Sequence, residues 1–282
     1  MRRTLLVPVF ALLLLLGVLV TPGAAITGGQ PDRNRHPYVG LLLAPGLTFC
    51  SGTLISADAI LTAGHCTDFW DDLAEEEGLE TIMVSFDPQA SVDEDWMPDG
   101  GTWYPASNWL THPDYVGDDW PFTFDYGLLY LDSPVGITPA SLPAPNMLSP
   151  IVEGKGQTQQ RFTDVGYGVQ GTVRGGGRPS FAVTWTRKFS VNRYAPGNGS
   201  TSALLHPTWF IVQNQPSPQH GGACGGDSGS PVLWGETNTE VAVHTGGYRL
   251  GKPGDEFLCG RITGLNHRID LPSVLAWITA ND

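Results

Sequence analysis

Apolar and polar positions along this chain alternate in short runs broken by Gly and Pro, with few stretches at helical spacing. Residues 38–43, 52–55, 82–86, 127–131, 181–185, 209–212, 231–234 and 241–244 read as β-strands. Many short strands at such spacing predict an all-β chain closed into a barrel or stacked as a sandwich. Near the C-terminal end, Val274, Leu275, Trp277 and Ile278 within residues 272–279 predict a short helix. Between residues 133 and 150, Pro134, Pro139, Pro143, Pro145 and Pro150 rule out a central strand and mark a connection between two halves.

The longest apolar run, residues 5–20, follows Arg2 and Arg3 and is followed by Thr21, Pro22, Gly23, Ala24 and Ala25. A basic start, an apolar stretch short of the roughly 20 residues a spanning helix needs, and small residues after it describe a secretory signal peptide over residues 1–25. Cleavage after Ala25 would leave a chain beginning Ile26-Thr27-Gly28-Gly29. No later segment is apolar enough to cross a membrane, so an exported protein with no membrane association after cleavage is expected.

Charge and cysteines narrow the classes further. Loss of Arg2 and Arg3 with the leader takes the formal charge from −13 to −15, which argues against nucleic-acid partners and for a self-repelling, soluble, monomeric protein. Cys50, Cys66, Cys224 and Cys259 are an even number in an exported chain and are expected to form two disulfides. No Cys-x-x-Cys pair occurs, and no zinc site is expected.

The candidate chemistry lies in two motifs. Residues 224–231 read Cys-Gly-Gly-Asp-Ser-Gly-Ser-Pro, and residues 62–66 read Thr-Ala-Gly-His-Cys. A serine hydroxyl is a weak nucleophile at neutral pH and needs an imidazole to take its proton and donors to hold the oxyanion. Ser228 and His65 are the candidates. An α/β-hydrolase is disfavoured, because Ser230 breaks the Gly-x-Ser-x-Gly elbow and the order His65, Asp125, Ser228 is not that fold's.

With these motifs the chain resembles the trypsin/chymotrypsin family of serine endopeptidases from Ile26 to Ile278. Ile26-Thr27-Gly28-Gly29 resembles that family's activated N-terminus, and residues 50–55 with 61–66 its histidine region. Residues 112–115, 124–129, 140–143 and 166–168 are similar to its middle landmarks. The resemblance implies two packed six-stranded antiparallel β-barrels with the active site between them, and protein or peptide substrates. It implies Ser228 as nucleophile, His65 as base and then acid, and Asp125 as the carboxylate that orients His65. Asp125 is preferred over Asp114, Asp118, Asp119 and Asp132 because it immediately precedes the apolar run 127–131. The backbone N–H groups of Gly226 and Ser228 are implied as the oxyanion hole. An ammonium on Ile26 would pair with Asp227, and the family's pairing joins Cys50 to Cys66 and Cys224 to Cys259.

Substrate preference is expected at Gly222, Ala223, His244, Thr245, Gly246 or Gly247, and Gly264. No acid stands where trypsin-like members hold one, so cleavage after Arg or Lys is disfavoured. The glycines suggest an open slot for a large apolar side chain. Residues 243–247, Val-His-Thr-Gly-Gly, also resemble the pocket wall of glutamyl endopeptidases, in which a histidine helps to bind an acidic side chain. A non-catalytic relative acting as a binding protein is the remaining alternative, although its triad would usually be damaged. The acidic run 68–80 is read as a solvated face, with calcium the one ion its hard oxygens would suit. No metal or other cofactor is otherwise expected. His36, His206, His220 and His267 are read as structural, and Asn198-Gly199-Ser200 is a glycosylation sequon if the source is eukaryotic.

Overall fold

A computed structural model describes residues 26–117, 123–154, 159–172, 180–195, 206–212, 221–248 and 263–282. The leader, Asp118, Asp119, the sequon, His220 and Cys259 lie outside the described residues. The chain opens with β1 (Gln30–Pro31), then β2 (Val39–Ala44), β3 (Thr48–Leu54) and β4 (Ala59–Thr62). Helix α1 (Gly64–Glu76) follows, then β5 (Ile82–Ser85), β6 (Tyr104–Ala106), β7 (Asn108–Thr111) and β8 (Gly127–Tyr130). The second half holds α2 (Ser149–Val152), β9 (Arg161–Gly166), β10 (Gln170–Thr172), β11 (Ser180–Ala182), β12 (Lys188–Arg193), β13 (Trp209–Val212), β14 (Pro231–Trp234), β15 (Glu240–Tyr248), β16 (Thr263–Arg268) and α3 (Pro272–Asn281).

The strands form two seven-stranded antiparallel sheets and a β10–β11 hairpin. The first sheet runs β6-β5-β2-β3-β4-β8-β7. Its two edges, β6 and β7, are one segment bent at Ser107, pairing with β5 at one end and β8 at the other. The sheet therefore closes on itself as six strand segments, which removes its open edges. The second sheet runs β1-β12-β9-β14-β15-β16-β13. Here a Tyr194–Val212 bridge beyond the end of β12 joins β12 to β13 and closes six strands, while β1 straps on outside. The seventh strand in each sheet is thus a bend in one case and the N-terminal strap in the other.

Apolar packing explains the first barrel. All six residues of β2 are buried, and Leu41, Leu42 and Leu43 pair with β3 on one side and β5 on the other. A separate cluster around Phe162, Phe210, Val212, Val232 and Val241 fills the second barrel.

Two buried anchors tie the halves together. Tyr126 O–H donates to the Arg268 carbonyl at 2.6 Å. Arg187, fully buried, donates to Asp32 Oδ2 at 2.9 Å and to the carbonyls of Val39 and Phe86 at 2.8 and 2.9 Å. Asp32 also pairs with His36 Nδ1 at 2.5 Å, which gives His36 the structural role expected of it. A buried charge needs this degree of pairing to be tolerated.

The predicted C-terminal helix is α3. Helix α1 was not expected: into and along the acidic run, Cys66, Trp70 and Leu73 recur at helical spacing and are buried, while Asp68, Asp71, Asp72, Glu75 and Glu76 face outward. The run 181–185 is a strand only as far as Ala182.

Candidate active site

His65 sits in the first turn of α1, directly after β4, and is tied to the wall behind it by the Cys50–Cys66 disulfide. Asp125 lies just before β8, and β8 pairs with β4. This register brings the two side chains together: His65 Nδ1 is 2.9 Å from Asp125 Oδ2, and the His65 backbone N–H donates to Asp125 Oδ1 at 2.7 Å. Gly64 allows the approach, since a Cβ there would stand 3.0 Å from the Tyr126 backbone and 3.2 Å from Asp125 Oδ1. Asp125 is buried, which alone would push its carboxyl up; the His65 charge and hydrogen bonds, with His267 nearby, hold it well below the usual carboxylate range. Asp125 is therefore an anion facing an imidazole whose own side chain keeps 29% exposure. Of the other aspartates among the described residues, Asp114 is exposed and Asp132 accepts from Ser107.

Ser228 is carried by the turn leading into β14 and is docked on the first barrel. Ser51 N–H donates to the Ser228 carbonyl at 2.8 Å, and Ser51 O–H to the Gly226 carbonyl at 2.9 Å. The Gly229 N–H donates to the His244 carbonyl at 2.8 Å. Gly226 has φ +88° and Gly229 φ +81°, backbone that side-chain-bearing residues avoid. A Cβ on Gly229 would meet Thr62 Oγ1 and the Ser51 carbonyl, so this turn is pressed against the strand that leads into His65. Gly226 and Gly229 are thus required by conformation and contact.

Asp227 is buried beneath Ser228 and accepts from the N–H groups of Cys224 (2.9 Å) and Gly168 (2.8 Å). Burial raises its carboxyl to about 7 against these two bonds, and the like charge of Asp164 adds to the rise. Ile26 is fully buried, and Thr27 beside it exchanges backbone hydrogen bonds with Gly222 at 2.8 and 3.0 Å. Gly221 has no room for a Cβ, which would lie 2.9 Å from Ile26 Cγ2.

The expected pocket residues fall on neighbouring segments. Gly222 and Ala223 are buried beside Thr27, and β15 carries His244, Thr245, Gly246 and Gly247 opposite Gly264 of β16. A Cβ on Gly246 would meet nothing within 4 Å, so this wall borders open space. The rim at residues 249–262 lies outside the described residues. His244 is buried, with Nδ1 2.9 Å from Asn266 Oδ1. Burial, opposed by that hydrogen bond, lowers its imidazole to about 4. Asn266 was not singled out in the sequence, nor was the Thr245–His267 contact (Oγ1 to Nδ1, 2.5 Å). His206 is paired with Thr208. Cys224 is disulfide-bonded and no cysteine is free among the described residues.

No group of three metal-ligating side chains is found among the described residues, and the acids of α1 are exposed. No helix among them is long and apolar enough to cross a membrane.

Two closed antiparallel barrels, a paired histidine and aspartate on one and a serine turn of the other docked beside them, define a serine endopeptidase. The trypsin family model matches residues 26–266, and the chain belongs to the trypsin family. It is 27% identical over 248 residues to a trypsin of Saccharopolyspora erythraea, covering 84% of this chain and 93% of that one. It is 23% identical over 262 residues to a lectizyme of Glossina austeni, covering 92% and 84% of the two chains. The solved structure of HL collagenase shares the fold at a TM-score of 0.64, with 17% identity over 90% of this chain and 97% of that one.

Proposed function

We propose that this protein cleaves peptide bonds through an acyl-enzyme on Ser228, with His65 as base and Asp125 as its orienting anion. The observation that carries this reading is the doubly bonded His65–Asp125 pair beside the docked Ser228 turn. His65 takes the Ser228 proton as Oγ attacks the scissile carbonyl, then gives it to the leaving amine; water repeats the sequence on the acyl-enzyme. Gly226 and Ser228 present backbone N–H groups to the oxyanion, and the tight turn at Gly226 favours that orientation.

Maturation fits the same reading. A leader ending at Ala25 would be removed on export and leave Ile26 as a free ammonium, the missing counter-charge for the buried Asp227. The mature enzyme is proposed to act outside the cell as a monomer without a metal. An N-terminus other than Ile26 in the mature protein, by mass spectrometry, would defeat processing in a single step.

For the residue before the cut, a large apolar side chain is proposed. Gly222 and Ala223 offer no charge to Arg or Lys, Gly246 opens onto space, and buried His244 is neutral at pH 7. A second reading, cleavage after Glu, is favoured by the Asn266 acceptor on His244 Nδ1, which would steady an imidazolium. Peptide-library profiling beside Ser228→Ala tests all of this. Cutting after apolar residues that vanishes in Ser228→Ala is expected; wild type as inert as the variant would make the protein a binding module.

A further inference from the structure

A cavity of about 550 Å³ opens where the segment leading into β2 meets the second barrel. Arg35, His36 and Tyr38 come from that segment, Phe189 and Val191 from β12, and Glu236 from the turn between β14 and β15. Ser228 precedes β14 and this turn follows it, so the cavity and the nucleophile stand at opposite ends of one strand. The volume falls within the roughly 300–1,000 Å³ of small-molecule sites.

The charged groups of the cavity are set in place beforehand. Arg35 N–H donates to the Asp32 carbonyl at 3.1 Å, and His36 N–H to Asp32 Oδ2 at 3.1 Å, which ties this segment to a buried acid. The Arg35 guanidinium lies over the Phe189 ring, 4.9 Å from its centre, where its N–H edge remains available to an anion. The turn that carries Glu236 is pinned to β9: Gly235 N–H donates to the Arg161 carbonyl at 2.9 Å, and the Gly235 carbonyl accepts from Thr163 O–H at 2.5 Å. Arg35 and Glu236 are exposed, and neither side chain is ion-paired among the described residues. A cation and an anion thus line one cavity without neutralising each other.

Tyr38 points to a ligand. It is only 6% exposed and lines the cavity, yet its O–H has no hydrogen-bond partner among the described residues. Leaving a buried donor unmade is costly, and an isolated case calls for a partner. Burial, then the Glu240 and Asp32 carboxyls, raise this phenol above its ordinary range, so it stays a donor and seeks an acceptor.

We propose that this cavity binds a small zwitterion with an apolar side chain, a free α-amino acid or a dipeptide. Tyr38 O–H and the Arg35 guanidinium hold its carboxylate, Glu236 its ammonium, and Phe189 and Val191 its side chain. One guanidinium and one O–H match a single carboxylate, whereas Glu236 repels the further negative charge of a phosphate ester. Both charges share one cavity, which limits the length of the occupant. The site does not depend on the catalytic reading; where that reading holds, peptide-bond cleavage releases molecules with these same termini.

Calorimetric titration of the disulfide-intact Ser228→Ala protein, in which the ligand is not cut, tests the site. Phenylalanine and alanyl-phenylalanine are the ligands and separate the amino acid from the dipeptide. Phenylalaninamide lacks the carboxylate, N-acetyl-phenylalanine the ammonium, and glycine the side chain. Phenylalanine or alanyl-phenylalanine should saturate with a Kd of roughly 1 mM or below, and each control should bind roughly tenfold or more weakly. Arg35→Ala and Tyr38→Phe should each weaken the parent ligand roughly tenfold, and Arg35→Ala should level it with its amide. Glu236→Gln should level it with its N-acetyl form. Arg35 and Glu236 are exposed and Tyr38→Phe keeps the ring, so melting temperatures near the parent's are expected and show that each variant is folded. No saturation by about 10 mM of either ligand overturns the site. Binding that survives both Arg35→Ala and Glu236→Gln unchanged, as occupancy of the cleft at Ser228 would, overturns it too. Peptidase activity plays no part in this readout, so failure of the endopeptidase reading and failure of this site are told apart.

Discussion

The two barrels close alike but differ in what they bury. Along its strands the first barrel hides only hydroxyl side chains among its apolar ones: Ser51, Thr53, Thr62 and Ser85. The strands of the second hide Asp164, Lys188, Asn192, Glu240, Asn266, His267 and Arg268. Asp164 accepts from Asn192, and Arg268 reaches Asp270 at 2.9 Å, yet burial still raises Asp164 to about 7 and Glu240 well above the carboxylate range. The half that carries His65 and Asp125 buries few polar side chains along its strands, and its buried Asp125 is paired with His65. The half that carries Ser228 stands on carboxyls whose charge is costly. Rigidity in one half and titratability in the other fit the proposed roles, a histidine held in place and a serine turn completed by a new N-terminus.

The comparison is broken most severely at the seam. Ser228→Ala or His65→Ala should lower kcat by about 10^6, and Asp125→Asn by about 10^4, the magnitudes seen when such serine, histidine and aspartate constellations are cut. Single-turnover kinetics at fixed active-site concentration would check both. Gly229→Ala comes next, because a side chain at φ +81° would also meet the Ser51 carbonyl; activity and thermal stability should fall together.

Removing the first barrel's staple with Cys50→Ala and Cys66→Ala frees a loop of 16 residues and should cost about 3 kcal/mol in urea unfolding. The site geometry should survive, so the residual folded protein should keep its substrate preference.

The second barrel should respond to pH instead. Asp164 and Asp227 have raised carboxyls when folded, at about 7, so the folded state binds more protons than the unfolded one between about pH 4 and pH 7. Stability is full below the unfolded value near 4 and is lost as pH rises through 7. Leader-bearing protein should therefore melt lower at pH 8 than at pH 5, and Asp164→Asn should flatten that slope. A free Ile26 ammonium should flatten it too, by ionising Asp227. The smallest effect belongs to the solvated face of α1. Asp71→Ala removes the acceptor of Trp109 Nε1–H at 2.9 Å and should change stability by about 0.5 kcal/mol or less.

The same contrast explains what could be read from the residues alone. Apolar runs were legible in both barrels, at 38–43, 52–55, 82–86 and 127–131 in the first and at 209–212, 231–234 and 241–244 in the second, while the short β4, β6 and β7 of the first barrel were missed. Strands β9, β12 and β16 place Asp164, Asn192 and Asn266 inward, so their alternation looks like loop and they were missed. Helix α1 was obscured by its acids, although Cys66, Trp70 and Leu73 keep the helical interval. His65 and Ser228 stood out because their neighbours form motifs, whereas Asp125 was picked from several nearby aspartates by its place just before the apolar run 127–131. The Asn266 acceptor for His244, 22 residues away on the next strand, depends on β15–β16 register, which the local pattern does not specify. Trp96 and Trp185 meet only because two turns from different halves converge on Phe49.

The central claim is that His65, on the apolar first barrel, activates a serine offered by the other half. Reaction of the mature, disulfide-intact protein with a fluorophosphonate probe, followed by peptide mapping, tests it most directly. Label on Ser228, lost in His65→Ala, is the predicted result. A folded protein beginning at Ile26 that takes no label, or takes it on another serine, would contradict it.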